Sequence, residues 1–288
     1  MLVNGNGVAK DEKEALQWYL KAAGHGDDRA QARLAFFYQS GGDMVRAAAL
    51  FRSAALQGNA DAQEALGRML EYGRGVEASD AQAEKFYAQA AQSGNVAAGM
   101  HLSRLQLSGR AAAPDPAATV KFLRGAALQR EPLAEYLLAT MHFSGKFVDH
   151  DDAAGLVYLR RAARAGHTIA MTLLGHMLAD GMRVKADAIE SLAWLRKAAA
   201  LGDARAQLSL AQAYENGSGV ERDGAASLAW LNKAAAGGSG AAMLRLGAPY
   251  AQGELGLQMD PALAAQWRSQ AATTAGGAGA DEWRLREL

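Results

Sequence analysis

Apolar residues recur along most of the chain at the three- and four-residue spacing of a helix with one buried face. Segment 206–217 shows this most clearly. Leu210, Ala213 and Tyr214 mark one side of a helix that ends before Gly217. Gly217 can adopt the left-handed conformation that stops a helix at little steric cost. We call this predicted element helix A.

A second helical pattern follows after a short loop. It begins at Asp223, continues through Leu228, Trp230 and Leu231, and ends near Gly238. We call this element helix B. The two elements together predict a helix-turn-helix unit, and the low proline content of five in 288 residues permits such helices throughout.

The unit repeats with a fixed period of 36 residues. Glycines that end helix A keep this step at Gly73, Gly109, Gly145, Gly181, Gly217 and Gly253. Leucines inside helix A keep it at Leu66, Leu102, Leu138, Leu174, Leu210 and Leu246. Because independent series share one period, the chain is predicted to be a repeat array and not two globular domains.

Short polar residues mark the start of each helix B. They are Asp11, Asp43, Ser79, Asp115, Asp151, Asp187, Asp223 and Asp260. Such side chains accept hydrogen bonds from the unpaired amides at a helix start. The series is therefore interpreted as helix caps and not as acid catalysts or metal ligands.

One large residue recurs inside helix B. The series is Trp18, Leu50, Phe86, Phe122, Tyr158, Trp194, Trp230 and Trp267. An aromatic series could form a stacking platform for bases or sugars. Here it lies among apolar neighbours at fixed spacing, which predicts core packing.

These anchors carry a family resemblance. Segment 192–223, LAWLRKAAALGDARAQLSLAQAYENGSGVERD, closely resembles the Sel-one-like repeat (SLR), a relative of the tetratricopeptide repeats. The resemblance covers about residues 2–272. Two places depart from it, because 98–130 lacks the GxG loop and Pro249 is expected to interrupt a helix A.

The resemblance implies a fold and a class of function. The implied fold is an all-α, right-handed superhelical α-solenoid of about seven to eight helix-turn-helix repeats. Its concave face would be lined mainly by helix A. The implied function is a non-catalytic, mostly bacterial adaptor in signalling or envelope-associated processes, with a protein or peptide as partner.

Composition narrows the function further. Thirty Lys+Arg balance thirty Asp+Glu, which weighs against a nucleic-acid binder. The absence of cysteine excludes disulfides and thiolate metal sites. No apolar run reaches the roughly 18 residues of a membrane span, and the first residues do not resemble a signal peptide. We expect a soluble protein of the bacterial cytoplasm or periplasm. Neither its compartment nor its oligomeric state is predicted.

Enzymatic motifs are missing from the sequence. The GNG, GRG and GSG triplets follow helices and are interpreted as turns. No serine has a lysine three residues later, and no HExxH pattern occurs. We expect no enzyme, cofactor or metal site. A cell-wall hydrolase and a purely structural assembly component remain the alternative functions.

The partner site is predicted from positions where the repeats differ. The tetratricopeptide pattern places three helix A positions on the concave face, two before the repeated leucine and two and five after it. The predicted partner-binding residues are Arg68, Met100, Arg104, Leu107, Tyr136, Thr140, Phe143 and His176. An apolar strip with basic neighbours suits a peptide that has apolar anchors and an acidic group. Alternatively, some of the apolar residues only pack between adjacent helices A.

The sequence predicts three segments. Residues 1–272 form the solenoid, which opens inside a repeat because Leu2–Val8 matches Leu70–Val76. Either the chain is part of a longer protein or the first helix B acts as a cap. Residues 273–280 are rich in Gly and Ala and predict a flexible linker. Residues 281–288 predict a short capping helix or a docking tail.

Overall fold

The computed structural model describes residues 12–255 and 257–277, and these residues form fifteen α-helices and no strand. The predicted all-α class is confirmed. None of the described helices is long and apolar enough to cross a membrane. The predicted cap Asp11 and the predicted tail 281–288 lie outside the described residues.

The helices alternate between the two predicted types. They are α1 (Glu12–Gly24), α2 (Asp28–Ser40), α3 (Met44–Leu56), α4 (Ala60–Tyr72), α5 (Asp80–Gln92), α6 (Val96–Leu107), α7 (Pro116–Leu128), α8 (Pro132–Ser144), α9 (Asp152–Arg164), α10 (Thr168–Asp180), α11 (Ala188–Ala200), α12 (Ala204–Asn216), α13 (Gly224–Ala236), α14 (Gly240–Gln252) and α15 (Pro261–Gly277). Even numbers are helices A, and odd numbers are helices B. Within the described ranges, α1 is followed by seven complete pairs, in agreement with the predicted seven to eight.

The predicted caps are present at each helix B whose start is described. Asp187 accepts hydrogen bonds from the amides of Ile189 and Glu190 at 3.0 and 2.9 Å. Asp223 accepts one from Ala226 at 2.9 Å. The remaining caps are Asp43, Ser79, Asp115, Asp151 and Asp260. This local chemistry explains why helix B begins at the same repeat position each time.

The turn after helix B also repeats, and one turn lacks the usual glycine. Gly166 and Gly202 hold φ near +90° there. Arg130, at the equivalent position 36 residues before Gly166, has φ +60°. An L side chain is disfavoured in this conformation. The packing of the flanking helices therefore imposes the turn even where the sequence does not favour it.

The described chain divides into two compact units, residues 1–126 (unit 1) and 127–288 (unit 2). In unit 1, α3 packs on both α2 and α4, and α5 packs on both α4 and α6. In unit 2, α11 likewise packs on α10 and α12. These helices B thus pack both on the helix A of their own pair and on the helix A of the next pair. The repeated leucines that fill these contacts in unit 2, Leu138, Leu174, Leu210 and Leu246, are fully buried.

The large helix B residues mostly follow the core prediction. Trp194 is buried, and Leu50 and Phe86 pack against the core of unit 1. Trp18 is an exception, because 58% of its surface is exposed. No described helix A precedes α1 to cover it. The Nζ atom of Lys21 lies 5.1 Å from the Trp18 ring centroid, so a cation partly covers the exposed ring.

Two local predictions are wrong. Pro249 lies inside α14 without interrupting it, and its carbonyl accepts the capping hydrogen bond from Gly253 at 2.8 Å. Of the predicted linker 273–280, residues 273–277 belong to α15 and residues 278–280 lie outside the described residues. Buried Ala271 belongs to the same core cluster as Leu246, so packing on α14 supports the end of α15.

Replacing Leu174 with Ala should lower the free energy of unfolding by about 2–5 kcal/mol, because the side chain is fully buried and its loss leaves a cavity. Urea denaturation measures this. Leu201→Ala is the matched control, since Leu201 is 61% exposed in the same unit and should change stability by less than about 0.5 kcal/mol. Equal effects of the two substitutions would contradict the assigned core face.

Candidate functional site

Arg104 of the predicted site forms a buried ion pair in unit 1. Its Nη2 atom, on α6, lies 2.6 Å from Oε2 of Glu71 at the end of α4. The Glu71 side chain is only 1% exposed. Tyr87 donates its hydroxyl to the same carboxylate at 2.9 Å, and Arg110 reaches it at 3.3 Å. Burial, reinforced by the Glu71 charge, raises the pKa of Tyr87 above its usual value. Arg104 is thus engaged in holding α4 and α6 together.

Arg68 keeps more of its side chain in solvent. It forms an ion pair with Glu64 one turn earlier on α4, at 2.9 Å, and its side chain is 42% exposed. His101 on α6 lies 3.4 Å from the same carboxylate. Arg68 and Arg104, predicted as an equivalent basic pair, therefore differ in environment. One lies in a surface ion pair and the other in a buried ion pair.

The predicted apolar strip is not on the surface. Met100 in unit 1 is 4% exposed, and Tyr136 and Phe143 in unit 2 are 8% and 3% exposed. Leu107 is half-buried at the end of α6. The expectation that these residues offer an exposed apolar landing for a partner is wrong for Met100, Tyr136 and Phe143.

Packing within unit 2 explains the burial of the two rings. The Tyr136 ring stacks on the His167 ring with 4.7 Å between centroids. The Phe143 ring packs against Gly155 of α9, where an added Cβ would collide with it. The guanidinium of Arg183 covers the Phe143 ring at 5.2 Å. Both rings therefore contribute to stability within the repeat.

A groove in unit 2 contains another predicted residue, His176. The groove has a volume of about 480 Å³ and is formed by α10, α11, α12 and the loop after α12. Its lining residues are His176, Ala179, Asp180, Ala188, Ser191, Leu192, Leu195, Ser209, Gln212, Ala213, Asn216 and Ser218. Helices A of two consecutive repeats thus form its walls, and the helix B between them contributes apolar side chains.

The polar groups of the groove centre on one hydrogen bond. The Nε2 atom of His176 lies 2.7 Å from Oγ of Ser209 on the next helix A. Burial lowers the pKa of His176 below its usual value of 6.5, so the imidazole is neutral at neutral pH. Ser191 donates its hydroxyl to the Gly175 carbonyl at 2.7 Å and is thereby satisfied. The groove offers an imidazole, a hydroxyl and the Gln212 amide to a ligand.

The His–Ser pair is an incomplete catalytic arrangement. A hydrolytic serine requires a base that is itself oriented by a third group. The charge of Asp180 partly opposes the lowering of the His176 pKa by burial. No carboxylate of the described residues hydrogen-bonds to the imidazole. The geometry therefore favours polar recognition of a ligand over nucleophilic chemistry.

Sequence reasoning found part of this groove. His176 was predicted, and Gln212 lies at the equivalent position 36 residues later. Thr140, the equivalent residue one repeat earlier, donates its hydroxyl to the Leu137 carbonyl of its own helix at 2.8 Å. Ser209 was missed. Its spacing three residues before Gln212 was the available signal, because residues three apart share a helical face.

The repeat anchors correspond to a known family. The Sel1 repeat matches the chain at residues 1–27, 28–59, 60–95, 132–167, 168–203, 204–239 and 240–273. The chain belongs to the Sel1 repeat family. Residues 96–131 lie between two matched repeats and correspond closely to the unit that lacks the GxG loop. Two helices, α6 and α7, nevertheless occupy this stretch.

Solved structures agree with this assignment. A Sel1 repeat protein from Oxalobacter formigenes is 29% identical, with a TM-score of 0.72, and the match covers 84% of this chain and 99% of that one. A protective antigen of uropathogenic Escherichia coli with an SLR fold is 30% identical, with a TM-score of 0.66. That match covers 92% of this Sel1 repeat chain and 57% of the antigen.

More distant similarity concerns the fold alone. An immunity protein from Pseudomonas aeruginosa is 19% identical with a TM-score of 0.56, and the match covers 75% of this chain and 82% of that one. Curated proteins give no significant match to the sequence. The family and the fold of this Sel1 repeat protein are thus established, and its partner is a matter for proposal.

Replacing Arg104 with Ala should destabilise unit 1 by about 3–5 kcal/mol, because the buried Glu71 carboxylate loses its closest cation. Chemical denaturation followed by circular dichroism measures the change. Arg68→Ala is the control, since its side chain is 42% exposed and the loss of its pair with Glu64, one turn away, should cost less than about 1 kcal/mol. If Arg104→Ala were equally mild, the ion pair would not support the packing of α4 on α6.

Acidification should destabilise the protein partly through His176. Above pH 6.5 the imidazole is neutral in the folded and unfolded states. Below it, the unfolded chain binds a proton that the folded chain with its lowered pKa does not. Stability should therefore fall more between about pH 7 and about pH 5 in the parent than in His176→Gln. Urea midpoints at both pH values test this, and parallel losses in the two proteins would contradict it.

Proposed function

We propose that this Sel1 repeat protein is a non-enzymatic scaffold that binds a protein or peptide segment, and that the His176 groove is its docking point in unit 2. Proteins of this family are generally protein-interaction scaffolds. The observation that carries the proposal is the groove of about 480 Å³ between consecutive helices A. Binding sites are commonly concave surfaces with apolar walls and a few convergent polar groups.

The chemistry of the groove indicates the kind of segment. Leu192 and Leu195 offer apolar contact, and the Gln212 amide and the Ser209 hydroxyl offer hydrogen bonds. These groups suit the backbone and a small apolar side chain of an extended peptide. Asp180 is the charged residue of the lining when His176 is neutral, so the proposed ligand is neutral or basic at this point. This revises the acidic ligand expected from the sequence.

The proposed setting is bacterial signalling or an envelope-associated process. Both solved relatives near 30% identity come from bacteria, and one of them is described as a protective antigen. For this chain we therefore propose a protein or peptide partner in such a bacterial process.

Filling the groove tests the scaffold proposal. Gln212→Trp should lower the recovery of the bound partner from host extract by about tenfold, because a large side chain occupies the site of a central contact. The substitution removes no hydrogen bond between described side chains, so the melting temperature should hold. Ala229→Trp, on an exposed position of helix B in α13, is the control and should recover the partner fully. The partner is identified by a photo-cross-linking residue placed at 212.

Two results would overturn the scaffold proposal. If Gln212→Trp and the parent recovered the partner equally, the groove would not be part of the partner-binding surface. The second candidate, hydrolase activity, is favoured by the 2.7 Å contact between His176 and Ser209. It predicts that a fluorophosphonate probe labels Ser209 and that His176→Gln abolishes the labelling. The scaffold proposal predicts no labelling.

A further inference from the structure

A second cavity in unit 2 is rich in arginine. It has a volume of about 400 Å³ and is lined by Arg130, Glu135, Arg161, Arg164 and Ala165. None of these residues lines the His176 groove. The cavity lies where helix α9 ends and α8 begins, and Arg130 contributes to it from the turn between α7 and α8.

The buried charge of the cavity is that of Glu135, which stands where some other repeats have glutamine. Gln63 and Gln207 stand at equivalent positions of other repeats, and each donates its side-chain amide to the carbonyl eight residues earlier at 3.1 Å. Glu135 occupies this position here. A carboxylate cannot donate a hydrogen bond, so the interaction with the preceding helix must be made in another way.

Arg161 supplies the missing donor. Its guanidinium donates to the Ala127 carbonyl at 3.4 Å, which is the carbonyl eight residues before Glu135. It also pairs with the Glu135 carboxylate at 2.7 Å, and that side chain is only 2% exposed. Arg161 is therefore held in place on one wall of the cavity by a buried partner.

The other two arginines have no such partner. Among the described residues, neither Arg130 nor Arg164 donates a side-chain hydrogen bond or forms an ion pair. The charge of Arg164 contributes to lowering the pKa of Glu190, but Arg160 hydrogen-bonds that carboxylate and is the main cause. Three guanidinium groups against the single Glu135 carboxylate leave two positive charges in excess at the cavity.

This arginine cluster is particular to one repeat. The positions equivalent to Arg164 hold Gln92, Leu128, Ala200 and Ala236. The positions equivalent to Arg130 hold glycine in six repeats, at Gly26, Gly58, Gly94, Gly166, Gly202 and Gly238. Arg130 keeps the left-handed turn of those glycines with φ +60°. Repeat packing therefore does not require an arginine at either position.

We propose that the Arg130–Arg161–Arg164 cavity binds a phosphate group, either free or carried by a phosphorylated protein segment. A phosphate dianion matches the two excess charges, and guanidinium groups contact its oxygens in bidentate geometry. A monocarboxylate would leave one of these charges uncompensated. The site is independent of the His176 groove.

Calorimetric titration with inorganic phosphate tests the site at slightly alkaline pH, where phosphate is mainly a dianion. Sodium chloride at the same ionic strength serves as the blank. The parent should bind one phosphate saturably. Arg130→Gln and Arg164→Gln should each weaken binding by about tenfold, because each removes one charged donor pair. Neither change leaves a buried carboxylate unpaired, so both variants should keep the melting temperature of the parent.

Arg196→Gln is the matched control for non-specific electrostatics. Arg196 is exposed in α11 of the same unit, and it does not line the cavity. Its removal changes the net charge equally and should leave phosphate binding unchanged. The proposal is overturned if the parent shows no saturable binding, if acetate binds as tightly as phosphate, or if the two cavity variants bind phosphate like the control.

A peptide pair identifies the source of the phosphate. A phosphoserine peptide that binds more tightly than inorganic phosphate, and that loses affinity in Arg164→Gln, would assign the site to a phosphorylated partner. Equal affinities for the two would assign it to free phosphate. Binding of the unphosphorylated peptide that is undiminished in Arg164→Gln would contradict the phosphate site.

Discussion

Close contact between neighbouring helices at small residues is the constraint on which the rest of the structure depends. A single helix pair has too little apolar surface to bury, so each repeat must pack on the next. Within a pair, Gly67 and Gly155 allow the two helices to approach closely, because the rings of Tyr87 and Phe143 occupy the space that a Cβ would fill. Packing of one pair on the next brings polar groups of consecutive helices A within hydrogen-bonding distance, as for His176 and Ser209.

Charged residues inside the array are tolerated where a neighbouring helix supplies the partner. Glu71 is buried but accepts from Tyr87 and pairs with Arg104. Glu135 is buried but pairs with Arg161. The first pair links helices A of consecutive repeats, α4 and α6, and the second links the two helices of one repeat, α8 and α9. Breaking such a pair costs more than never forming it, because the remaining charge stays buried. These pairs therefore constrain which substitutions the repeats can accept.

The two proposed sites differ from the common repeat pattern in different ways. The groove uses helix A positions that vary between repeats without disturbing the buried leucines. The arginine cavity depends on Glu135 in place of a glutamine and on Arg130 in place of a glycine. Neither change is needed for packing, and the second opposes the local backbone preference. Both sites are thus variations on a fold whose stability comes from other residues.

The sequence by itself determined the features that depend on local chemistry. The 36-residue period, the left-handed glycines and caps such as Asp187 follow from the preferences of a few neighbouring residues, and the structure confirms them. The position of a helix end does not depend on distant residues, because the unpaired amides are satisfied within one turn.

Only the tertiary structure decided which side of a helix A was available to a ligand. Tyr136 and Phe143 have the spacing of a shared surface, yet His167, Gly155 and Arg183 cover them. Arg68 and Arg104 are equivalent in sequence, but only Arg104 meets a buried carboxylate. Ser209 lines the groove because the packing of α12 on α11 places its hydroxyl next to the His176 imidazole. Exposure and pairing depend on what a neighbouring helix places opposite a residue, and that opposition is set by packing across repeats.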